Sequence, residues 1–388
     1  MSGRARPAGA SPLELARTLI RADTVNPPGR EEPSARLLAE RLAAAGLDVE
    51  LVPHGAGRAG LIAMTRPPVG DNAPWLCLTG HLDTVPFSAD AWSRAPLGAE
   101  IDGDRLYGRG SSDMKAAVAA LVTAIEAAAS RARPRAGVVL ALTAGEETGC
   151  EGAAAVAARL PEVGAVLVGE PTANRVVTAH KGATWFACEA RGVAAHGSAP
   201  ERGRSAIRAM VHALGGLESA APLNVVDPRL GSPTVNVGTI AGGAAVNVVP
   251  DRCEATIDVR TVPGLDGDVT ERWLRAAVGA DIDVRRLVDL PPVATPASDP
   301  WVAEVTRAFA AVTGERPAKD AGAVGYFTDA SVLAPALGDP PVVLCGPGEP
   351  EQAHQRDEWC SITRLEGAAA AYAELCLRWC GDGPIGRT

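Results

Sequence analysis

Residues 75–86 read WLCLTGHLDTVP: an apolar run without alternation, a glycine, and then a histidine and an aspartate two positions apart. A short apolar run that does not alternate is the pattern of a strand covered on both faces. The same texture recurs at LDVELV (47–52), LIAMT (61–65), GVVLALTA (137–144), AVLVG (165–169) and PVVLC (341–345). Between these runs the period becomes helical. PSARLLAERLAAAG (33–46) sets Leu38, Leu42 and Ala45 on one face, with Gly46 placed to end the helix. MKAAVAALVTAIEAAA (114–129), EGAAAVAARL (151–160), WVAEVTRAFAAVTG (301–314), DASVLAPAL (329–337) and ITRLEGAAAAYAELCLRWC (362–380) also read as helices. Helices alternating with apolar strands predict an α/β fold, a mixed, largely parallel sheet covered by helices.

From about Val176 the texture changes. VVTAHKG (176–182), TWFACEARG (184–192), TVNVGTI (234–240), CEATIDVR (253–260) and DIDVRRLV (281–288) read as strands. GRSAIRAMVHALGGLE (203–218) and DVTERWLRAAVG (268–279) read as helices, and the Pro-rich DLPPVATPASDP (289–300) reads as a linker. The economical organisation is a discontinuous domain, 1–176 and 292–388, interrupted by a smaller α+β domain at 177–291.

The chain of 388 residues is 47% hydrophobic and 21% charged, an ordinary globular composition with ample material for a core. A net charge of −9 lacks the basic face that nucleic acid or an anionic membrane rewards, so neither is an expected partner. The N-terminus MSGRARPAGASP has no apolar core of a signal peptide, and the longest apolar run, 116–129, is interrupted by Glu126. The eight cysteines are scattered, only Cys376 and Cys380 lying close, so thiols in a cytoplasmic protein are expected rather than a disulfide framework.

In open α/β sheets ligands bind beyond the carboxyl ends of the strands. There stand His81 and Asp83, then Glu146 and Glu147, then Glu170, and His354 nine residues after PVVLC. Asp113 sits in the glycine-rich turn GRGSSDMK before the long helix. Carboxylates crowded together raise one another's pKa unless cations neutralise them. A mixed histidine and carboxylate set without thiolate suits Zn, Co or Mn. No dinucleotide fingerprint, phosphate loop, nucleophile elbow or catalytic cysteine motif competes with this reading.

GHLDTVP (80–86), GRGSSDMKAA (108–117), GEETG (145–149), GEPT (169–172) and AHQRDE (353–358) together resemble the signature segments of the di-zinc amidohydrolase and metallopeptidase family. That family includes acetylornithine deacetylase, succinyl-diaminopimelate desuccinylase, aminoacylase and the glutamate carboxypeptidases. The resemblance spans about residues 13 to 380 and is closest to the acetylornithine deacetylases, through GEPTANRVVTAHKG, FTDA and GPGEPEQAHQRDEW. It implies two divalent metal ions: His81 and Glu170 on one, Glu147 and His354 on the other, Asp113 bridging. Asp83 would fix the tautomer of His81, and Glu146 would be the general base.

In the inserted domain, a lid and dimerisation domain by the same resemblance, His196 of GVAAHGSAP would stabilise the oxyanion, reaching the other subunit of a homodimer. Asn247 and Arg260 of NVVPDRCEATIDVR would contact substrate, Arg260 suiting a carboxylate or else serving a structural ion pair. Thr328 and Asp329 are expected at the substrate pocket. His54 and His212 read as structural, and His180 with Lys181 has no role derivable from the residues. The implied reaction is hydrolysis of the amide of a small N-acyl amino acid, N-acetylornithine foremost. Desuccinylase, aminoacylase, dipeptidase or carboxypeptidase activities and a pathway-specific deacylase are alternatives, as is a non-catalytic amino-acid-binding protein. The last predicts a lost ligand or base, and all seven positions from His81 to His354 are intact.

Overall fold

The computed structural model describes residues 11–66, 73–130, 135–220, 223–314 and 322–382. Residues 1–10, on which the reading of the N-terminus rests, lie outside them. The chain forms two compact units, one from residues 1–178, 295–322 and 328–388, the other from 179–294 and 323–327. The brief return at 323–327 has no counterpart in the sequence reading.

In the first unit, six strands lie side by side in the order Asp48–Pro53, Ala59–Met64, Val138–Thr143, Trp75–His81, Val163–Pro171, Val342–Gly346. The first two form an antiparallel hairpin that pairs antiparallel with Val138–Thr143, and the last four are mutually parallel. The continuous apolar runs follow from this: Val138–Thr143 is buried along its whole length, whereas the edge strand Asp48–Pro53 alternates. Helix Ala116–Ala129 is buried on nearly all sides, its alanines combining high helix propensity with close approach. The terminal helix Ile362–Asp382 buries Leu365, Tyr372, Leu375 and Trp379 in the same core.

Two tryptophans tie helices to strand backbone. Trp301 Nε1 donates to the Val166 carbonyl (3.0 Å) and Trp379 Nε1 to that of Pro74 (3.2 Å), and their rings meet edge to face at 5.8 Å. Because the four strands are parallel, their carboxyl ends share one edge, which places His81, Glu146, Glu147 and Glu170 together. Helix Pro12–Arg21, capped by Ser11 through Glu14 N, was not anticipated from sequence. Nor was the small sheet of Ile101–Asp102, Arg105–Tyr107 and Trp359–Ser361, which carries the 108–113 turn to the segment following His354.

The second unit is an antiparallel sheet ordered Thr234–Gly242, Arg252–Thr261, Gly182–Arg191, Ile282–Leu290, with helices Ala206–Ser219 and Gly267–Val278. Burial alternates along Arg252–Thr261, and Phe186, Ile257, Met210 and Leu274 fill the core between sheet and helices. Ser205 and Asp266 cap the helices through Arg208 N and Val269 N. Strand Thr234–Gly242 is a sheet edge, exposed at every position.

All eight cysteines are free and buried. Among the described residues no helix is long and apolar enough to cross a membrane. His180 and Lys181, without a role in the sequence reading, are packing residues here. His180 is fully buried with Nδ1 on the Lys181 carbonyl (2.9 Å), and Lys181 Nζ donates to the Ser232 carbonyl (2.6 Å). Burial pushes the His180 imidazole down to about 4. Its ordinary value is near 6.5, so the unfolded chain takes up this proton first, and stability falls as pH drops from about 6.5 through 4. Replacing His180→Gln is expected to flatten this acid slope in urea-unfolding midpoints measured across that range. An unchanged slope would show that the imidazole is not held neutral.

Candidate metal centre

His81, the last residue of its strand, is 1% exposed. Its Nδ1 lies 3.0 Å from the backbone carbonyl of Asp83 and 3.6 Å from the Asp83 carboxylate. A carbonyl only accepts, so Nδ1 carries the proton and Nε2 is free to offer its lone pair. Asp83 thus meets this nitrogen chiefly through its peptide carbonyl, with its carboxylate farther off on the same nitrogen. The Asp83 carboxylate instead accepts the backbone amides of Gly145 (3.0 Å), Glu146 (3.2 Å) and Glu147 (3.2 Å). Asn26 Nδ2 completes its shell at 2.9 Å and also donates to Thr148 Oγ1 at 2.9 Å.

This turn requires a glycine before Glu146. Gly145 has φ +80°, and a Cβ there would stand 2.8 Å from the Arg58 guanidinium. Arg58 in turn joins the buried Glu31 (2.8 Å) to Glu151 (2.9 Å), bracing the loop from outside.

Asp113 stands between two imidazoles. Its Oδ1 is 3.1 Å from His81 Nε2 and its Oδ2 is 3.3 Å from His354 Nε2. Glu170 Oε1 lies 3.9 Å from His81 Nε2 on one side, and Glu147 Oε2 lies 3.0 Å from His354 Nε2 on the other. Donor atoms of His81, Asp113 and Glu147 all fall within 4.8 Å of one another. The peptide bond between Asp113 and Met114 is cis. Glu146 is buried beside this set, its Oε1 4.0 Å from Cys150 Sγ.

The electrostatics are those of crowded, buried carboxylates facing two imidazoles. Burial drives Glu146, Glu147 and Glu170 upward, and the neighbouring carboxylates add to it. Burial works to lower His81, yet hydrogen bonding to carboxylate lifts it well above its ordinary value. Asp113 and Glu147 raise His354 to about 10. Asp113 itself is buried, but the two imidazoles hold it far below the carboxylate range. Glu147 Oε1 is buried with no hydrogen-bond partner among the described residues. Two imidazoles, three carboxylates and an orphaned oxygen are a donor set that fits divalent cations.

Thr328 and Asp329, expected at the substrate, are buried: Thr328 Oγ1 accepts Ala330 N (3.1 Å), and Asp329 Oδ2 accepts the Thr143 hydroxyl while its Oδ1 has no hydrogen-bond partner among the described residues, its charge adding to the upward push on Glu146 and Glu170. Burial raises Asp329 to about 6. In the second unit, exposed His196 receives Ser198 N (3.1 Å) and lies 2.7 Å from Ser198 Oγ, both at Nδ1. An amide can only donate, so Nδ1 accepts and neutral His196 carries its proton on Nε2, turned into a donor. Gly197 N bonds the carbonyl of Asn247 (2.7 Å), bringing that exposed residue beside His196. Arg260 Nε pairs with Asp258 at 2.9 Å and its guanidinium lies 5.1 Å from the Phe327 ring centre, so the structural ion pair is present. His54 meets Glu151 at 3.4 Å and His212 is exposed on its helix. Asn26, Arg109 and Glu358 were missed as site residues. Their only signal was position within Asn-Pro-Pro-Gly and within two of the signature segments.

Comparison with known proteins agrees with the geometry. Residues 77–378 match the model of Peptidase family M20/M25/M40. Acetylornithine deacetylase of Edwardsiella ictaluri is 34% identical over 360 residues, covering 89% of this chain and 90% of that protein. "Probable succinyl-diaminopimelate desuccinylase" of Staphylococcus aureus is 27% identical over 358 residues, covering 84% and 88%. The crystal structure of an M20 family metallo-carboxypeptidase from Sulfolobus solfataricus shares the fold at TM-score 0.77 and 18% identity, covering 95% of this chain and 99% of that one. With a family match across most of its length and a relative 34% identical over 360 residues, this chain belongs to Peptidase family M20/M25/M40 and is a metallo-hydrolase.

Proposed function

We propose that the chain removes a small acyl group, acetyl foremost, from the amine of an amino acid such as N-acetylornithine, using two divalent cations, zinc before cobalt or manganese. The observation that carries this reading is the row His81, Asp113, His354, with Glu170 and Glu147 flanking it and Glu146 left outside the donor set. Cations bound there supply Lewis acidity toward the amide carbonyl and the attacking water. Asp113 orients between the two imidazoles, and His81 presents Nε2 because its other nitrogen is fixed on the Asp83 carbonyl. Glu146 takes a proton from the water at its carboxylate and delivers it to the leaving amine. Burial suits it to this, since a carboxyl raised above its ordinary value is the stronger base. His196, presenting Nε2–H, is the oxyanion donor of the proposal, and Asn247 and Arg260 its substrate contacts, all three on the sequence resemblance.

An N-succinyl substrate is the second reading. It is supported by the likeness to the Staphylococcus aureus protein named "Probable succinyl-diaminopimelate desuccinylase". A homodimer and a cytoplasmic location belong to the same proposal, supported by the exposed edge strand Thr234–Gly242 and by eight free thiols.

Glu146→Gln is expected to lower kcat by about 10²- to 10⁴-fold with metal content unchanged, read by steady-state kinetics and elemental analysis. Near-normal turnover would remove Glu146 from the base role. Dialysis against a chelator is expected to abolish activity and added zinc or cobalt to restore it, on a panel of N-acetyl, N-succinyl and dipeptide substrates. Preference for N-acetyl amino acids supports the first reading, and preference for N-succinyl supports the second. Light scattering is expected to give twice the chain mass, and a monomer would remove the cross-subunit role of His196.

A further inference from the structure

Arg109 and Glu358 are 4% and 0% exposed and form an ion pair, Nη1 to Oε2, at 2.6 Å. A buried pair is costly to desolvate unless other hydrogen bonds complete it. Here they do, in a particular distribution. Glu358 Oε1 accepts the amides of Ser112 (2.7 Å) and Asp113 (3.0 Å), Oε2 accepts that of Gly110 (3.1 Å), and the Glu358 carbonyl accepts Gly108 N (2.9 Å). One carboxylate thus sets the backbone from which Asp113 projects.

Arg109 reaches the other way. Its Nη2 donates to the carbonyl of His354 and its Nη1 to that of Gln355, each at 3.3 Å, with the guanidinium 5.2 Å from the Trp92 ring centre. His354 has φ +64° and a side chain 51% exposed, so packing does little to hold it. The two segments also touch closely: Glu349 N donates to Ser112 Oγ (2.9 Å), and a Cβ on Gly348 would stand 2.2 Å from the Ser112 carbonyl.

We propose that Arg109 and Glu358 are positioning residues that set the spacing between Asp113 and His354, and that they act unequally. Glu358, through Asp113, governs both cation positions. Arg109, through His354, governs only the position shared with Glu147. This rests on the two-cation reading above.

The test is metal titration of the chelator-stripped full chain by calorimetry, with the visible spectrum of bound cobalt as second readout and no substrate present. Two binding steps are expected for the parent. Glu358→Gln is expected to weaken both steps by about 10- to 100-fold. Arg109→Lys, which keeps the charge but loses the two-carbonyl fork, is expected to weaken one step by that factor, alter the cobalt spectrum of that position alone, and leave the other step within about twofold. Trp92→Ala, at a half-buried position, is expected to weaken the same single step in a chain whose buried pair is intact, and serves if either buried variant fails to fold. Variants that melt earlier yet keep both affinities, or an Arg109→Lys chain that weakens both steps equally, would overturn the proposal. A parent that binds no second cation would overturn the two-cation reading and this inference with it, whereas failure of the variants alone leaves that reading standing.

Discussion

The site hangs on one carboxylate, that of Asp83, which is spent on backbone amides. Asp83 accepts three successive backbone amides, Gly145 to Glu147, and so converts a flexible Ala-Gly-Glu-Glu turn into a rigid bracket from which two glutamates diverge. Its own backbone carbonyl simultaneously sets the imidazole of His81. Buried without partners, such a carboxylate would take up a proton. Burial does push it upward, but His81, Asn26 and the amides outweigh that and keep it below its ordinary value. The two glutamates and the histidine are therefore oriented by a single residue at the meeting of two strand ends.

The same device recurs one segment over. Glu358 gathers the amides of the 110–113 turn as Asp83 gathers those of 145–147. A nest of backbone N–H groups around a buried carboxylate gives rigidity without a long side chain, and it leaves the nearby glutamates and Asp113 free to face inward. The parallel sheet brings strand ends to a common edge, while these nests decide where the loops beyond them point.

How much of this was legible in the sequence follows from which interactions are local. The apolar runs ending in His81, Glu146, Glu147 and Glu170 could be read because a doubly covered strand leaves a continuous trace and its carboxyl end is a physical boundary. The helices at 116–129 and 362–382 were legible for the same reason. Asn26, Arg109 and Glu358 were not, because their partners lie 57 to 249 positions away and no local period encodes such pairings. For Thr328 and Asp329 a motif places residues near a site but does not say how they pack, and here both are buried, one Asp329 oxygen taking the Thr143 hydroxyl and the other without a hydrogen-bond partner among the described residues. The helix at 12–21 went unread, although Ser-Pro at its start, the Ser11 cap and its apolar face were present to be found.

The burial of every cysteine has a consequence of its own. A thiol reagent needs an accessible thiolate, and burial withholds both conditions, pushing Cys77 for example up to about 12. The folded chain is therefore chemically silent toward alkylation, and each labelling event records an opening. Cys188 and Cys253 lie in the second unit and the other six in the first, so the order in which positions are tagged tells which unit breathes first. The molecule carries its own stopwatch for partial unfolding.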